Sequence, residues 1–416
     1  MVSFRRLVLA SAFLVPVLVL SSGARALEPD EVPLSSLSNS STHKESRALP
    51  PNPHKKPHGN PAAGIANIDS LVNFSGRFKA DGVDSTGVPQ TWWYYNMVGT
   101  DPKHGGTTTI KAPIVPVALD LVRPDGSKLH VDSQHNVQNV LGSPIFSKTE
   151  FTSSNVPTQI SDAVHRAQFG KTAKADWHTL LAPAVKPERT MTLPFGTYRF
   201  ARNPDGSVAF VLVNINEFAN RLFPATATDT TTPVGAAENA GDITTKDLST
   251  FLFANTFLTF DDGSCCVIGF HSYDFEPGDA ANGNTEKRFV LNYSSWVTPG
   301  LFGDSFADVT AISHEISESY SDPFVASDNL HNIVPWWLAP NGLCQNNLED
   351  GDVIEGLPND TYPITMNGFT YHPQNEALLP WFAREQYSSA IDGAYSYPNE
   401  DVLTALSPPQ KANCAP

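Results

Sequence analysis

The chain has 416 residues, with 27 Lys and Arg against 43 Asp and Glu, a net charge of −16, and 40% hydrophobic residues. This hydrophobic fraction is enough for a sizeable core and excludes a wholly disordered chain. The acidic balance, without any basic block, argues against a nucleic-acid partner, because phosphate neutralisation needs clustered Lys and Arg.

The N-terminus is typical of an export signal. Arg5 and Arg6 precede an apolar run at 7–20, and Ala24 and Ala26 supply the small residues of a cleavage site. The apolar run is shorter than the ~20 residues that span a bilayer. We therefore predict a signal peptide at 1–26 and a secreted chain, extracellular or periplasmic, without stable membrane insertion.

The next segment, 27–63, is rich in Pro and Ser and has no Phe, Trp or Tyr. Such a segment cannot bury enough apolar surface to offset the entropy lost on ordering. We predict a disordered linker or a pro-segment here.

Region 64–227 is predicted to be a mainly β domain. Pro-Asp-Gly occurs at 124–126 and again at 204–206, each time between strand-like runs, which indicates two hairpins. The only helix that we expect in this region lies at about 158–169.

A polar link at 228–232 leads into the second region, 233–416, which is predicted to be an α+β domain. Its pattern favours a helix at 245–257, a strand at 289–293 and a long helix at 303–321. The fold class that we predict is therefore α+β, with the mainly β region first.

All four cysteines, Cys265, Cys266, Cys344 and Cys414, lie in the second region. In an exported protein this favours disulfide bonds. We expect Cys265 and Cys266 each to pair with Cys344 or Cys414, because a bridge between adjacent cysteines is strained. A thiolate metal site is the alternative, but no C-x-x-C spacing supports it.

The helix at 303–321 carries the most informative pattern. Ser305 and Asp308 suit a capping arrangement, and Pro323 ends the helix. One face is an apolar stripe of Val309, Ile312, Ile316 and Tyr320. His314 and Glu318 share the opposite face, one turn apart, with Glu315 beside them.

Two interpretations of the polar face remain open, a solvated helix surface and a metal site. Between 289 and 383 the chain has twelve Asp and Glu but no Lys or Arg. Like charges one turn apart repel each other, so a cation is the natural missing partner. A His and a Glu at i and i+4 can both reach one metal, and the Glu after the His can act on a bound water.

The segment His314-Glu315-Ile316-Ser317-Glu318 resembles the active-site helix of zincin metallopeptidases in its H-E-x-x-E form. With the following Asp-Pro at 322–323 and the acidic Glu-Asp-Gly-Asp at 349–352, it resembles exported bacterial proteins and, distantly, the plant exordium (phosphate-induced) group. The resemblance covers about 289–382. It implies a zincin-like α+β region, a Zn²⁺ ion, His314 and Glu318 as metal ligands, and Glu315 as the general base.

The third metal ligand stays open. Asp322 is too far along a continuous helix to join His314 on one ion, since eight residues span about 12 Å, and it is interpreted as a turn or capping residue. The remaining candidates are Glu349, Asp352, Glu355, His331 and His271, of which we favour Asp352 and Glu349. A carboxylate in place of the second His makes the site less positive, so Ca²⁺ or Mn²⁺ is the alternative to Zn²⁺.

The function that we expect is that of an exported metal-dependent peptidase-like hydrolase acting on a protein or peptide substrate. The alternative is a non-catalytic secreted binding or surface protein with a structural metal. A metal assay paired with a protease assay separates the two, and the oligomeric state stays open.

Overall fold

The computed structural model describes residues 27–37, 51–55, 68–84, 89–151, 156–278, 280, 283–303, 306–325, 333–334, 337–345 and 347–406. The predicted signal peptide at 1–26 lies outside the described residues, as do Ser305, His331 and Cys414.

The described residues form a mixture of strands and helices. The helices are α1 (Val137–Gly142), α2 (Ile160–Phe169), α3 (Ile215–Leu222), α4 (Pro233–Asn239), α5 (Thr310–Ser321) and α6 (Leu379–Phe382). The first strands are β1 (Ile68–Asp69), β2 (Asn73–Asp84), β3 (Pro89–Val98), β4 (Thr107–Val122), β5 (Lys128–Val131), β6 (His178–Val185), β7 (Arg189–Leu193), β8 (Tyr198–Arg202), β9 (Val208–Asn214), β10 (Leu248–Ala254) and β11 (Thr256–Thr259). The later strands are β12 (Cys265–Val267), β13 (Gly269–Glu276), β14 (Glu286–Trp296), β15 (Ile333–Val334), β16 (Trp337–Leu338), β17 (Cys344–Gln345), β18 (Ile364–Met366), β19 (Phe369–Tyr371), β20 (Glu376–Ala377) and β21 (Ser396–Tyr397). The fold is therefore mixed α and β.

A central sheet holds the candidate site in place. Strands β14, β10 and β4 run parallel to one another, and β13 pairs antiparallel with β14. The long strand β4 also pairs with β6, β7 and β5. Strand β4 precedes the predicted link at 228–232, and β10 follows it. The central sheet therefore contains strands from both predicted regions, 64–227 and 233–416. Parallel pairing joins strands that are distant in sequence, which local composition does not reveal.

Helices cover both faces of the central sheet. Apolar side chains of α5 and α2 share one core with β4, β10 and β14, and those of α3 and α4 share a second core with the same strands. On β14, Val290 belongs to the first core and Leu291 to the second, because successive strand residues point to opposite faces. Helix α5 packs on β13 and β14, which brings its side chains close to those of the sheet.

Several predicted elements are confirmed. Helix α2 corresponds to the helix expected at 158–169, and β14 includes the strand expected at 289–293. Both hairpins occur, since β4 pairs antiparallel with β5 and β8 pairs antiparallel with β9. In each hairpin the chain reverses direction at the Pro-Asp-Gly turn.

The helix predicted at 245–257 is wrong, because the chain forms β10 and β11 there. Every residue of β10 is buried, between β4 on one side and β14 on the other. A short apolar run that is buried on both faces has no strand-like alternation, so its periodicity cannot distinguish strand from helix.

Part of the predicted linker is ordered. The amide of Val32 donates to a carbonyl on β8 at 2.8 Å, and Nζ of Lys55 lies 2.7 Å from Oδ2 of Asp274. The prediction of disorder is therefore wrong for 27–37 and 51–55, where backbone hydrogen bonds and ion pairs compensate for the scarcity of apolar side chains. The remaining parts of the predicted linker, 38–50 and 56–63, lie outside the described residues.

The predicted cysteine pairing is also wrong. Cys265 and Cys266 are joined to each other by a disulfide. Cys265 and Cys266 lie on β12, which belongs to a different sheet from β17 with Cys344. Because each of these two cysteines is bonded to its neighbour, neither pairs with Cys344 or Cys414.

A buried histidine in α2 predicts a pH dependence of stability. Nε2 of His165 donates to the carbonyl of Val98 at 3.0 Å, while Nδ1 has no hydrogen-bond partner among the described residues. Burial lowers the pKa of His165 to about 4, whereas an unfolded chain has a His pKa of about 6.5.

The unfolded state therefore binds the extra proton between these two values, and stability falls as the pH falls. We expect the wild type to lose about 3 kcal/mol more stability than His165→Gln between about pH 8 and pH 4. Urea unfolding at both pH values measures this difference. Equal losses in the two proteins would contradict the prediction.

Candidate metal centre

Helix α5 is anchored through its apolar stripe. Val309, Ile312, Ile316 and Tyr320 are all buried in the core on the α5 face of the sheet. The helix begins later than predicted, at Thr310, and Asp308 does not cap it. Instead Oδ1 of Asp308 accepts hydrogen bonds from the amides of Val309 at 2.6 Å and His372 at 2.8 Å, which ties the helix start to a distant segment.

The polar face of α5 is buried as well. His314 is 4% exposed, Glu315 1% and Glu318 0%. The interpretation of this face as a solvated helix surface is therefore wrong. Burial of ionisable groups is costly unless they are paired or bind a metal, so this face needs a positive partner.

A first group of ligand atoms surrounds His314. Its Nε2 lies 3.1 Å from Oε1 of Glu318, 3.4 Å from Oδ1 of Asp352 and 3.9 Å from Oε1 of Glu315. The ligand atoms of His314, Glu318 and Asp352 all lie within 4.8 Å of one another. The structure thus brings the predicted pair on the helix together with one of the two favoured third ligands.

Two neighbours orient the His314 ring. Oε1 of Gln374 lies 3.0 Å from Nδ1, and Nε2 of Gln374 donates to the carbonyl of Gly351 at 2.7 Å. An amide oxygen can only accept, so Nδ1 donates, and Nε2 is the nitrogen that can offer a lone pair to a metal once it is deprotonated. A Cβ at Gly351 would lie 2.5 Å from Nδ1 of His314, so only glycine lets the loop approach the ring this closely.

A second group of ligand atoms surrounds His271, which lies on β13. Nδ1 of His271 is 3.3 Å from Oε2 of Glu318, 3.6 Å from Oε2 of Glu349 and 3.8 Å from Oε2 of Glu315. Asp322 belongs here too, since ligand atoms of His271, Asp322 and Glu349 lie within 4.8 Å of one another. Helix α5 ends at Ser321, which leaves Asp322 to turn towards His271.

The remaining predicted residues fall outside the first group. Glu349 lies with His271 rather than with His314. Glu355 lines a small cleft with room for about one water molecule, which also adjoins His314 and Glu315. His331 lies outside the described residues. The wall of this cleft includes Cys266, Val267, Ile268, Phe306 and Ala311, so an apolar surface leads to the two residues.

The carboxyl groups of this region form one buried acidic cluster. Its members, each no more than 9% exposed, are Glu315, Glu318, Asp322, Glu349, Asp350, Asp352, Glu355 and Glu376. Burial raises the pKa of Asp350 and of Glu355 to about 7, with the charge of Glu318 contributing in both. Without a cation, most of this cluster is driven towards the neutral form.

His314 and Glu318 shift each other's pKa values. Burial alone would lower the pKa of His314, but the charges of Glu318 and Glu315 outweigh it and raise that pKa well above its usual range. Burial likewise opposes ionisation of Glu318, yet the charge of His314 and contacts with His271 prevail and lower its pKa. Glu318 is thus the carboxylate that this environment keeps ionised.

The residues fit a bound metal. Three carboxylates each have one oxygen held by the protein: Oε1 of Glu318 by the amide of Asp352 at 3.2 Å, Oδ2 of Asp352 by Gln345 at 3.3 Å, and Oε1 of Glu349 by Asn347 at 3.4 Å. The other oxygen of each is buried without a hydrogen-bond partner among the described residues. These oxygens and the two histidines form buried clusters that could hold a metal ion.

Gln374 was not anticipated from the sequence. It lies 60 residues from His314, in a segment without a recognisable motif, and no pattern in a single sequence marks such a partner. His271 was among the open candidates, but nothing in the sequence placed it beside Glu318 rather than His314.

Gln374 supports a direct prediction. We expect Gln374→Leu to weaken metal affinity by about 10–100-fold, since the ring loses the acceptor that fixes its orientation. Gln374→Glu keeps an acceptor for Nδ1 and should retain more affinity. Competition with a chromophoric chelator measures both values, and equal affinity of wild type and Gln374→Leu would contradict this role.

Comparison with known proteins gives no relative. Neither a protein-family model nor a curated protein or solved structure matches the chain significantly. Among the described residues, no helix is long and apolar enough to cross a membrane.

Proposed function

We propose that this protein is an exported metal-dependent peptidase-like hydrolase with a zincin-like catalytic region. The observation that carries the proposal is the buried group of His314, Glu318 and Asp352 with Glu315 beside it. His314, Glu318 and Asp352 would hold the metal, for which Zn²⁺ is proposed and Ca²⁺ or Mn²⁺ are the alternatives. Export rests on the N-terminal sequence pattern.

The chemistry divides between the metal and Glu315. A bound metal lowers the pKa of water and polarises a carbonyl group. Glu315 accepts the proton of the attacking water and returns it to the leaving amine nitrogen of the peptide. Burial raises the pKa of Glu315, which brings a carboxylate closer to the basicity that this task needs.

The fit of this role to Glu315 rests on its position. Its Oε1 lies 3.9 Å from Nε2 of His314, and the small cleft adjoins both residues. A carboxylate in this place can contact a water molecule in the cleft.

The test combines metal analysis of the purified protein with hydrolysis of an unstructured protein substrate, with and without a chelator. We expect bound metal, hydrolysis, and loss of hydrolysis on chelation. Protein that binds no metal even after incubation with Zn²⁺, Ca²⁺ or Mn²⁺ would overturn the proposal.

A second candidate is a non-catalytic secreted binding or surface protein with a structural metal. The near-complete burial of His314 and Glu318 favours it, because structural metal sites are closed whereas catalytic sites keep an open position. It predicts that chelation lowers the melting temperature while no peptide is hydrolysed under any metal condition.

A further inference from the structure

We propose that the centre binds two divalent cations, the second one held by His271, Glu349 and Asp322, with Glu318 bridging the two. This inference deepens the proposed function, since it concerns the same buried centre. Its first support is that ligand atoms of His271, Asp322 and Glu349 lie within 4.8 Å of one another.

The second support is the environment of His271. The side chain is 1% exposed, and neither ring nitrogen forms a hydrogen bond among the described residues. A buried imidazole normally has a partner for at least one nitrogen. Here Nδ1 faces three carboxylate oxygens at 3.3, 3.6 and 3.8 Å. A cation between them could bind the lone pair of Nδ1 and the negatively charged oxygens together.

The third support is the orientation of Glu318. Its Oε1 lies 3.1 Å from Nε2 of His314, whereas its Oε2 lies 3.3 Å from Nδ1 of His271. Each oxygen therefore faces a different histidine. Carboxylates in two-metal sites use their two oxygens in this way, with the ions ~3.5–4 Å apart.

Glu318 also explains why the motif ends in Glu rather than His. An imidazole directs one lone pair at one cation, whereas a carboxylate offers an oxygen to each of two. A Glu at this position weakens the Lewis acidity of a single-metal site, because it removes one net positive charge. A second cation restores that charge.

The charges of the ligands also favour two divalent cations. The first group contributes the carboxylates of Glu318 and Asp352, and the second contributes those of Glu349 and Asp322. When all four of these carboxylates are ionised, two divalent cations balance their charge, whereas one cation leaves two of them to be neutralised by protons. Uncompensated buried charge is strongly unfavourable.

The experiment is metal stoichiometry measured by plasma mass spectrometry on the full secreted chain after incubation with Zn²⁺ and removal of loosely bound ion. We expect two Zn²⁺ per chain in the wild type and one in His271→Ala. Glu318→His, which restores H-E-x-x-H, should also hold one. His314→Ala should retain one ion, now at the His271 group.

A second measurement does not depend on the variants being folded. Wild type loaded with Mn²⁺ should give the spin-coupled paramagnetic resonance spectrum of two bridged ions. One metal per chain in the wild type, with an uncoupled spectrum, would overturn the second site. If that single ion is lost in His314→Ala but kept in His271→Ala, the proposed function stands; if no metal binds, both proposals fail.

Discussion

Glu315→Gln is expected to reduce peptide hydrolysis on the order of 10³-fold while the metal content stays that of the wild type. Gln has nearly the same shape as Glu, so it fits the same buried space, but its amide cannot accept the proton of the attacking water. Glu315 lies beside both histidines and could also bind a metal with His271 and Glu318, but it does not belong to the group of His314, Glu318 and Asp352. Steady-state kinetics on a peptide substrate, with metal analysis of the same sample, measures both quantities.

The contrast with His314→Ala sharpens this result. His314→Ala removes a ligand of the first group and should lose hydrolysis together with metal. If Glu315→Gln also loses metal, Glu315 is a ligand and not the general base. If Glu315→Gln retains full activity, the proposed role of Glu315 is wrong.

Glu318→Gln is expected to have the largest effect on metal binding. Both oxygens of Glu318 face ligand atoms, Oε1 towards His314 and Oε2 towards His271. Gln keeps one oxygen and places an NH₂ group, which only donates, where the other oxygen was. We expect the affinity loss to exceed the ~10–100-fold that follows from changing a partner of a ligand, and hydrolysis to be lost as well.

A matched control is available in Glu376→Gln. Glu376 is 1% exposed and lies on β20, outside the groups of ligand atoms. Burial, with a contribution from Asp350, raises its pKa well above the usual range, so the native side chain is neutral and Gln is a close substitute. Isothermal titration with Zn²⁺ compares the two variants. Equal metal affinity in Glu318→Gln and Glu376→Gln would contradict the central role of Glu318.

The local parts of the fold could be predicted from the sequence where turn residues or the spacing of apolar side chains indicate the conformation of the backbone. Pro-Asp-Gly turns predicted two hairpins because Gly adopts the turn conformation at no steric cost. The stripe of Val309, Ile312, Ile316 and Tyr320 predicted the buried face of α5 because an apolar repeat of this spacing lines one side of a helix. The helix expected at 245–257 failed because β10 is buried on both faces.

The candidate site divides in the same way. His314, Glu315 and Glu318 are within one helical turn, so their proximity follows from helix geometry alone. Asp352 and Glu349 were favoured from the sequence, but their separation into a His314 group and a His271 group depends on where the loop at 349–355 lies against α5. Gln374 acts across 60 residues, a distance at which no local pattern carries information.

For the acidic residues, too, the sequence determined one part of the result and the tertiary structure another. The sequence by itself determined that the segment from 289 to 383 contains twelve Asp and Glu and no Lys or Arg. Only the tertiary structure decided that the polar face of α5 is buried, because burial depends on β13, on the loop at 349–355 and on the segment of Gln374, which come together only in the folded chain. In water these charges would need no partner; in the interior, where ionised groups lose their hydration, they do.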